Sequence, residues 1–297
     1  MAKLGFLGLG IMGYPMARNL RRAGHDLAVW SHSADKARKL AAEEGAVFCT
    51  TPQQVGAAAE CIFLCVGDSK MSEQVILGPD GIIQGARPGT VVVDASTVAP
   101  STSRSIGAQL SAKGIQFLDA PCTGSRPGAE GGTLTFMIGG DQAVFEKARP
   151  FFEPMGKQLY YCGGPCAGLH AKLTQNLILA NLLQAFNEGI VLSTKAGVDP
   201  KLMLEILNNS AARSGLIAFK APYVFARDFT TNFSVKWMHK DIKLMLESAE
   251  EQHIPLPLTN LTEERFRAAI MQGLADEDIC STIKVLEGAT GVLVKAD

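Results

Sequence analysis

Short apolar runs alternate with helical spacing through the first half of the chain. Residues 4–7, 27–30, 61–66, 91–94 and 115–118 read as buried strands. Residues 12–23, 34–44 and 101–112 carry apolar positions at helical intervals between them. Such alternation predicts an α/β domain with a doubly wound, mostly parallel sheet under helices. Gly78-Pro79-Asp80-Gly81 and Arg87-Pro88-Gly89 are turn sequences, and two further strands are expected at 134–138 and 158–161.

The pattern changes after Tyr161. One helical stretch runs from 167 to 196 and stops at Gly197. Thirty residues at ~1.5 Å each make a rod of roughly 45 Å. It is apolar nearly all round between 177 and 192, which predicts burial on several sides. Helices follow at 200–208, 216–225, 236–252 and 261–271, with no comparable strand pattern. The expected organisation is a Rossmann-type domain over 1–164, then an all-α domain over 165–297 that opens with the long interdomain helix.

Composition narrows the function classes. Lys and Arg number 28 against 29 Asp and Glu, so there is no basic excess for nucleic acid. Hydrophobic residues are 47% and charged residues 19% of the 297, as in a globular protein. No uninterrupted run of ~18 apolar residues suggests a membrane span. The seven cysteines are odd in number and lack zinc-site or disulfide spacing. A reducing, cytoplasmic setting with no bound metal is expected.

Gly8-Leu9-Gly10-Ile11-Met12-Gly13 is a G-x-G-x-x-G that follows a strand and opens a helix. In that context it predicts dinucleotide binding, with the pyrophosphate on the helix N-terminus. Roughly 20 residues on, an Asp or Glu would hold the ribose 2′-hydroxyl of NAD. Here Ser31, His32 and Ser33 follow Trp30, with Lys36 and Arg38 close behind. Polar and basic groups without a carboxylate favour NADP, with NAD as the alternative. Val66 follows one inner strand, and Ser96 and Thr97 follow another. Ligands lie beyond such strand ends, so these face the nicotinamide half or, for Ser96 and Thr97, cap the next helix.

Residues 119–133 read as a long loop of small residues. Thr123, Gly124 and Ser125 offer hydroxyl and N–H donors suited to a small carboxylate. Lys172 and Asn176 share a face of the long helix just past the domain boundary. A lysine there can protonate a carbonyl oxygen as hydride arrives, or take a proton from an alcohol in reverse. Taken alone, Lys172 also reads as a surface lysine whose stem lies on apolar neighbours.

Together these motifs resemble the β-hydroxyacid dehydrogenase family, over nearly the whole chain. That family includes 3-hydroxyisobutyrate dehydrogenase, tartronate semialdehyde reductase and the glyoxylate/succinic semialdehyde reductases. Gly8 to Gly13 resembles its cofactor signature, Asp119-Ala120-Pro121 through Leu134 its substrate stretch, and Gly163 through Asn176 its catalytic stretch. The resemblance implies hydride transfer between NADPH or NADH and a short semialdehyde or β-hydroxy acid. It implies Lys172 as general acid/base and Asn176 as its orienting partner. Thr123 and Gly124 would hold the substrate carboxylate. Thr97 and Lys240 would lie near the nicotinamide, with Phe233 and Asp241 lining the substrate pocket. Three departures stand out: Thr123-Gly124-Ser125 where Ser-Gly-Gly is usual, Ser31-His32-Ser33 where NADP users often have Asn-Arg-Thr, and Cys166 where glycine is usual.

Two other readings compete. An imine reductase keeps the fold, but such members tend to replace the lysine that stands here as Lys172. A non-catalytic NADP-binding scaffold would not need Lys172 and Asn176. The apolar long helix also predicts a homodimer or homotetramer.

Overall fold

Strand β1 (Lys3–Leu7) runs into helix α1 (Gly13–Arg22), and the chain repeats this strand-then-helix step across the first unit. There follow β2 (Asp26–Trp30), α2 (Ala34–Glu44), β3 (Val47–Phe48), α3 (Pro52–Ala58), β4 (Cys61–Leu64) and α4 (Ser69–Leu77). Next come β5 (Val91–Asp94), α5 (Pro100–Ser111), β6 (Gln116–Asp119), β7 (Cys122–Thr123) and α6 (Ser125–Glu130). The sheet is completed by β8 (Leu134–Gly140), α7 (Gln142–Phe152) and β9 (Gly156–Gly163). This computed structural model describes residues 1–296.

Strand order is β3-β2-β1-β4-β5-β6-β8-β7, with β9 beside β8. The first six strands are parallel, and β8 turns antiparallel to β6. The order reverses between β1 and β4, the switch point beyond which α/β sheets bind ligands. Alternate residues of the buried strands feed two cores. Phe6, Phe63, Val91 and Val93 pack with α1, α2 and α7 side chains on one face. Leu7, Ile62, Leu64 and Val92 pack with α3, α4 and α5 on the other. Phe152 meets Phe63, Phe136 and Phe145 edge-on, locking α7 to the sheet.

The stretch expected as one long loop is not a loop throughout. Cys122 and Thr123 pair with Phe136 and Thr135, and a short helix follows Gly124. Two-residue strands and single helical turns carry too little periodicity to show in sequence.

The chain divides into compact units at Lys172 and Leu173. Helix α8 (Ala167–Lys195) passes from one into the other, and the second unit adds α9 (Pro200–Asn208), α10 (Gly215–Phe225), α11 (Val235–Glu251), α12 (Pro257–Met271) and α13 (Ile283–Thr290). Among the described residues its β pairing is one isolated bridge, Ser234 with Asp278. Gly197, at φ +89°, ends α8, with Gly197 N–H bonded to Thr194 and Val198 N–H to Ser193.

By length and composition α8 is apolar enough to cross a membrane, yet its inner face is laced with amides. Asn181 bonds Thr259 and Thr262, while Gln184 and Asn187 bond Thr282. The expectation of burial on several sides is corrected, because Ile178 and Leu192 stand exposed. Among the described residues nothing covers this apolar stripe of α8.

Candidate active site

The loop after β1 is shaped by its glycines. Gly8 sits at φ +89°, and a Cβ there would strike the Cys65 carbonyl. A Cβ on Gly13 would strike the Gly8 carbonyl, so α1 starts hard against the turn. Gly10 is exposed, with nothing within 4 Å of a Cβ position, and Ile11 beside it is also exposed. Leu9 instead enters the core, while Met12 occupies the N-cap without a side-chain cap bond. The first N–H groups of α1 therefore face an open backbone surface, a cradle that fits a pyrophosphate.

At the end of β2, Ser31 is buried while His32, Ser33 and Lys36 are exposed. Ser33 caps α2 without a side-chain bond. Arg38, offered by sequence as a substitute cation, pairs with Asp35 at 3.5 Å and lies 5.0 Å over the Phe48 ring. His32 and Lys36 are the basic side chains left at this strand end.

Beyond β4 and β5 the chain is braced. Ser72 Oγ donates to Asp94 Oδ2 at 2.7 Å, and Ser96 N–H donates to Oδ1 at 2.8 Å. Val66 N–H donates in turn to Ser96 Oγ at 2.8 Å. Ser96 is thus a buried strut, and the alternative that it caps α5 does not hold, since Ala99 is the N-cap. Val66 and Thr97 remain half-buried at the two strand ends. Burial raises the Asp94 carboxyl to about 6, against the pull of the Ser96 and Ser72 bonds.

Lys172 is 7% exposed, so the surface-lysine alternative does not hold. Its charge reaches the thiol of Cys122, which burial pushes up to about 11 while Lys172 opposes the rise. Lys172 therefore lies within electrostatic reach of Cys122, the first residue of β7. Thr123 and Ser125 are half-buried and Gly124, at φ +129°, is exposed. Arg126 is held by Glu130 at 2.8 Å, so hydroxyl and N–H donors face this loop rather than a free guanidinium.

In the second unit Asn176 Nδ2 donates to Asp241 Oδ2 at 2.7 Å, and Lys240 lies 2.7 Å from Asp241 Oδ1. Asp241 is almost wholly buried with both oxygens engaged, which makes it a brace for Asn176. The Asn176 carbonyl is left buried without a partner. Phe233 is half-buried; its N–H donates to Asp278, which Lys220 holds at 2.8 Å in a buried ion pair.

Comparison with known proteins decides the lineage. Residues 3–164 match the NAD binding domain of 6-phosphogluconate dehydrogenase, and 166–286 match the NAD-binding domain of NADP-dependent 3-hydroxyisobutyrate dehydrogenase. The chain belongs to the β-hydroxyacid dehydrogenase family. It is 38% identical to the 2-(hydroxymethyl)glutarate dehydrogenase of Eubacterium barkeri, over 98% of this chain and 97% of that one. Identity to glyoxylate/succinic semialdehyde reductase 2, chloroplastic, of Arabidopsis thaliana is 36%, over 96% and 80%. The structure of Mycobacterium tuberculosis 3-hydroxyisobutyrate dehydrogenase with L-serine superposes with a TM-score of 0.88 at 29% identity, over 96% and 99%. As a β-hydroxyacid dehydrogenase it is an NAD(P)-dependent oxidoreductase acting on CH–OH groups.

The structure shows what two of the departures from the family's usual residues cost. Ser125 and Cys166, both standing where a family glycine is usual, have φ of 54° and 70°. Glycine adopts that backbone freely, whereas L side chains resist it. The Cys166 thiol offsets some of the cost by donating to the Pro100 carbonyl at 3.2 Å.

Asp94 and Asp119 were not singled out by sequence as site residues, although each ends an inner strand. Asp119 accepts N–H bonds from residues about 50 positions away at the start of α8. No local spacing signals a cap supplied from that distance.

Proposed function

We propose that this protein interconverts a short semialdehyde and its hydroxy acid, using NADPH in preference to NADH. Glyoxylate, succinic semialdehyde and 3-hydroxyisobutyrate are the leading forms. The names of the Arabidopsis and Eubacterium relatives add support and bring 2-(hydroxymethyl)glutarate into range.

The observation that carries the reading is the buried Lys172, whose charge reaches Cys122 at the start of the Thr123–Gly124 loop. Thr123 and the backbone of Gly124 hold the substrate carboxylate by neutral donors. Lys172 Nζ gives a proton to the carbonyl oxygen during reduction and takes it back from the hydroxyl in oxidation. Asn176 adds a carbonyl acceptor one turn further along α8, its amide fixed by Asp241. Gly8 to Gly13 with the start of α1 would hold the pyrophosphate, and Val66 and Thr97 would flank the nicotinamide. His32, Lys36, Ser31 and Ser33 take the 2′-phosphate. When bound, the reduced nicotinamide supplies the hydride.

The test is NADPH and NADH oxidation against glyoxylate, succinic semialdehyde, methylmalonate semialdehyde and tartronate semialdehyde, with NADP reduction on 2-(hydroxymethyl)glutarate and 3-hydroxyisobutyrate. Lys172→Ala is measured beside the wild type. Turnover that falls by ~10²–10⁴-fold with cofactor binding kept supports the reading. Equal turnover in both proteins, or none on any compound, overturns it.

Assembly follows from the uncovered stripe on α8. The exposed Ile178 and Leu192 support a homodimer or homotetramer. Sedimentation at micromolar concentration showing a monomer contradicts it.

A further inference from the structure

The carboxylate of Asp119 lies at the C-terminal end of β6 and is 2% exposed. Its Oδ1 accepts the Cys166 N–H at 2.8 Å, and its Oδ2 accepts the Leu169 N–H at 2.9 Å. These are N–H groups that the start of a helix leaves without intrahelical partners. A capping carboxylate normally belongs to the residue preceding the helix. Here that place is held by Cys166 at φ +70°, a conformation that turns its own N–H toward Asp119. The neighbouring backbone confirms the tight docking. A Cβ on Gly168 would strike the Met137 carbonyl, and one on Gly139 would strike Asp119 itself.

Two chain segments leave this point. Four residues beyond Asp119 in sequence stands Thr123, on the strand pinned to β8. Three residues beyond Leu169 on the helix stands Lys172. A single buried carboxylate therefore joins the start of the substrate-loop strand to the first turn of the helix that bears the proton donor.

We propose that Asp119 is a positioning residue, which sets Lys172 in register with the Thr123–Gly124 loop by holding the first turn of α8. Asp119 touches neither substrate nor cofactor and acts through Lys172. The inference rests on the role given to Lys172 above. Neutralising Asp119 removes one acceptor and presents an amide hydrogen to the helix N–H groups. The first turn then shifts, and a displacement on the order of 1 Å costs up to ~100-fold in rate. The glycine loop after β1 is held by contacts of its own, so cofactor affinity stays.

A double-mutant cycle tests this with Asp119→Asn and Lys172→Ala, separately and together, reading kcat at saturating aldehyde and NADPH affinity by fluorescence. Asp119→Asn is expected to lower kcat by roughly 10–100-fold with NADPH affinity within about twofold. In the Lys172→Ala background the same change should alter kcat by less than about twofold. Asp119→Ser, which keeps a small acceptor, serves as the second variant should the asparagine protein not fold. An undiminished effect in the Lys172→Ala background overturns the positioning role while leaving the acid role of Lys172 intact. Unchanged kcat in a folded Asp119 variant does the same. A fully active Lys172→Ala protein instead overturns the proposed function, and this inference with it.

Discussion

Asn176 gives an amide hydrogen to Asp241 at 2.7 Å, and this one bond decides which way its carbonyl points. An amide has a donor end and an acceptor end, and Asp241, as a carboxylate, accepts only. The Asn176 Oδ1 must therefore face the other way, buried and without a partner. A buried carbonyl left open is costly unless a ligand or an ammonium fills it. Asp241→Ala removes the orientation and orphans the donor. It should lower thermal stability by about 1–3 kcal/mol. It should lower kcat by roughly tenfold or more, since a misplaced acceptor no longer guides the proton donor. Steady-state kinetics beside a denaturant melt checks both, and unchanged kcat refutes the orienting role.

The two left-handed residues differ in what their side chains do. Ser125 is half-buried, and among the described residues its side chain has no hydrogen bond to offset its φ of 54°. Ser125→Gly should raise stability by up to ~1 kcal/mol, less the extra freedom glycine gives the unfolded chain. Cys166 is buried and its thiol bonds the Pro100 carbonyl. Cys166→Gly trades strain for an empty space and should bring no gain. Equilibrium urea unfolding separates the two, and equal gains at both positions contradict this account.

Asp94 yields a pH dependence of unusual sign for a carboxylate. Burial raises it from 3.8 to about 6 in the folded protein. A raised group binds its proton more tightly when folded, so its contribution to stability is fully present below pH ~3.8. It is lost as pH rises through about 6. The change is on the order of 3 kcal/mol. Asp94→Asn keeps the shape and can bond Ser72 and Ser96, yet carries no charge to bury. Its melting temperature relative to wild type should climb between pH 4 and pH 7. A difference that stays flat across that range rules the effect out.

Cofactor choice turns on the end of β2. On the proposed NADPH preference, with Arg38 paired to Asp35 and lying over Phe48, the 2′-phosphate would fall to His32 and Lys36. Lys36→Ala should raise the KM for NADPH several-fold and leave that for NADH unchanged. Ser31→Asp should reverse the preference by placing a carboxylate where a 2′-hydroxyl binds. Parallel titrations with the two cofactors read the ratio, and an unmoved ratio in both variants places the phosphate elsewhere.

The sheet was legible because buried parallel strands are short apolar runs between glycine and proline turns. Leu4 to Leu7 and Val91 to Asp94 needed no tertiary knowledge. The cofactor loop was legible for a related reason: the turn at Gly8 and the helix start at Gly13 exclude side chains. Helix α12 begins at Pro257 rather than at 261, since a proline at the first helical position marks a start that apolar spacing alone misses. The braces could not be read. Asp94 with Ser72, Asp119 with Leu169, and Asn176 with Asp241 join residues 22 to 65 positions apart. Each is a lone polar residue until the fold brings its partner near. The strain at Ser125 and Cys166 was hidden likewise, because φ belongs to the backbone and both residues are ordinary in sequence.

One property of α8 limits how this protein can be altered. Lys172 and Asn176 ride the same unbroken helix, so the backbone pitch sets their spacing and no loop can adjust it. Inserting one residue between them would swing Asn176 through about 100°. Donor and acceptor can be exchanged singly but never re-spaced. On the role proposed for that loop, redesign toward a longer or bulkier substrate has its room instead in the Thr123–Ser125 turn, whose side chains vary without disturbing that fixed interval.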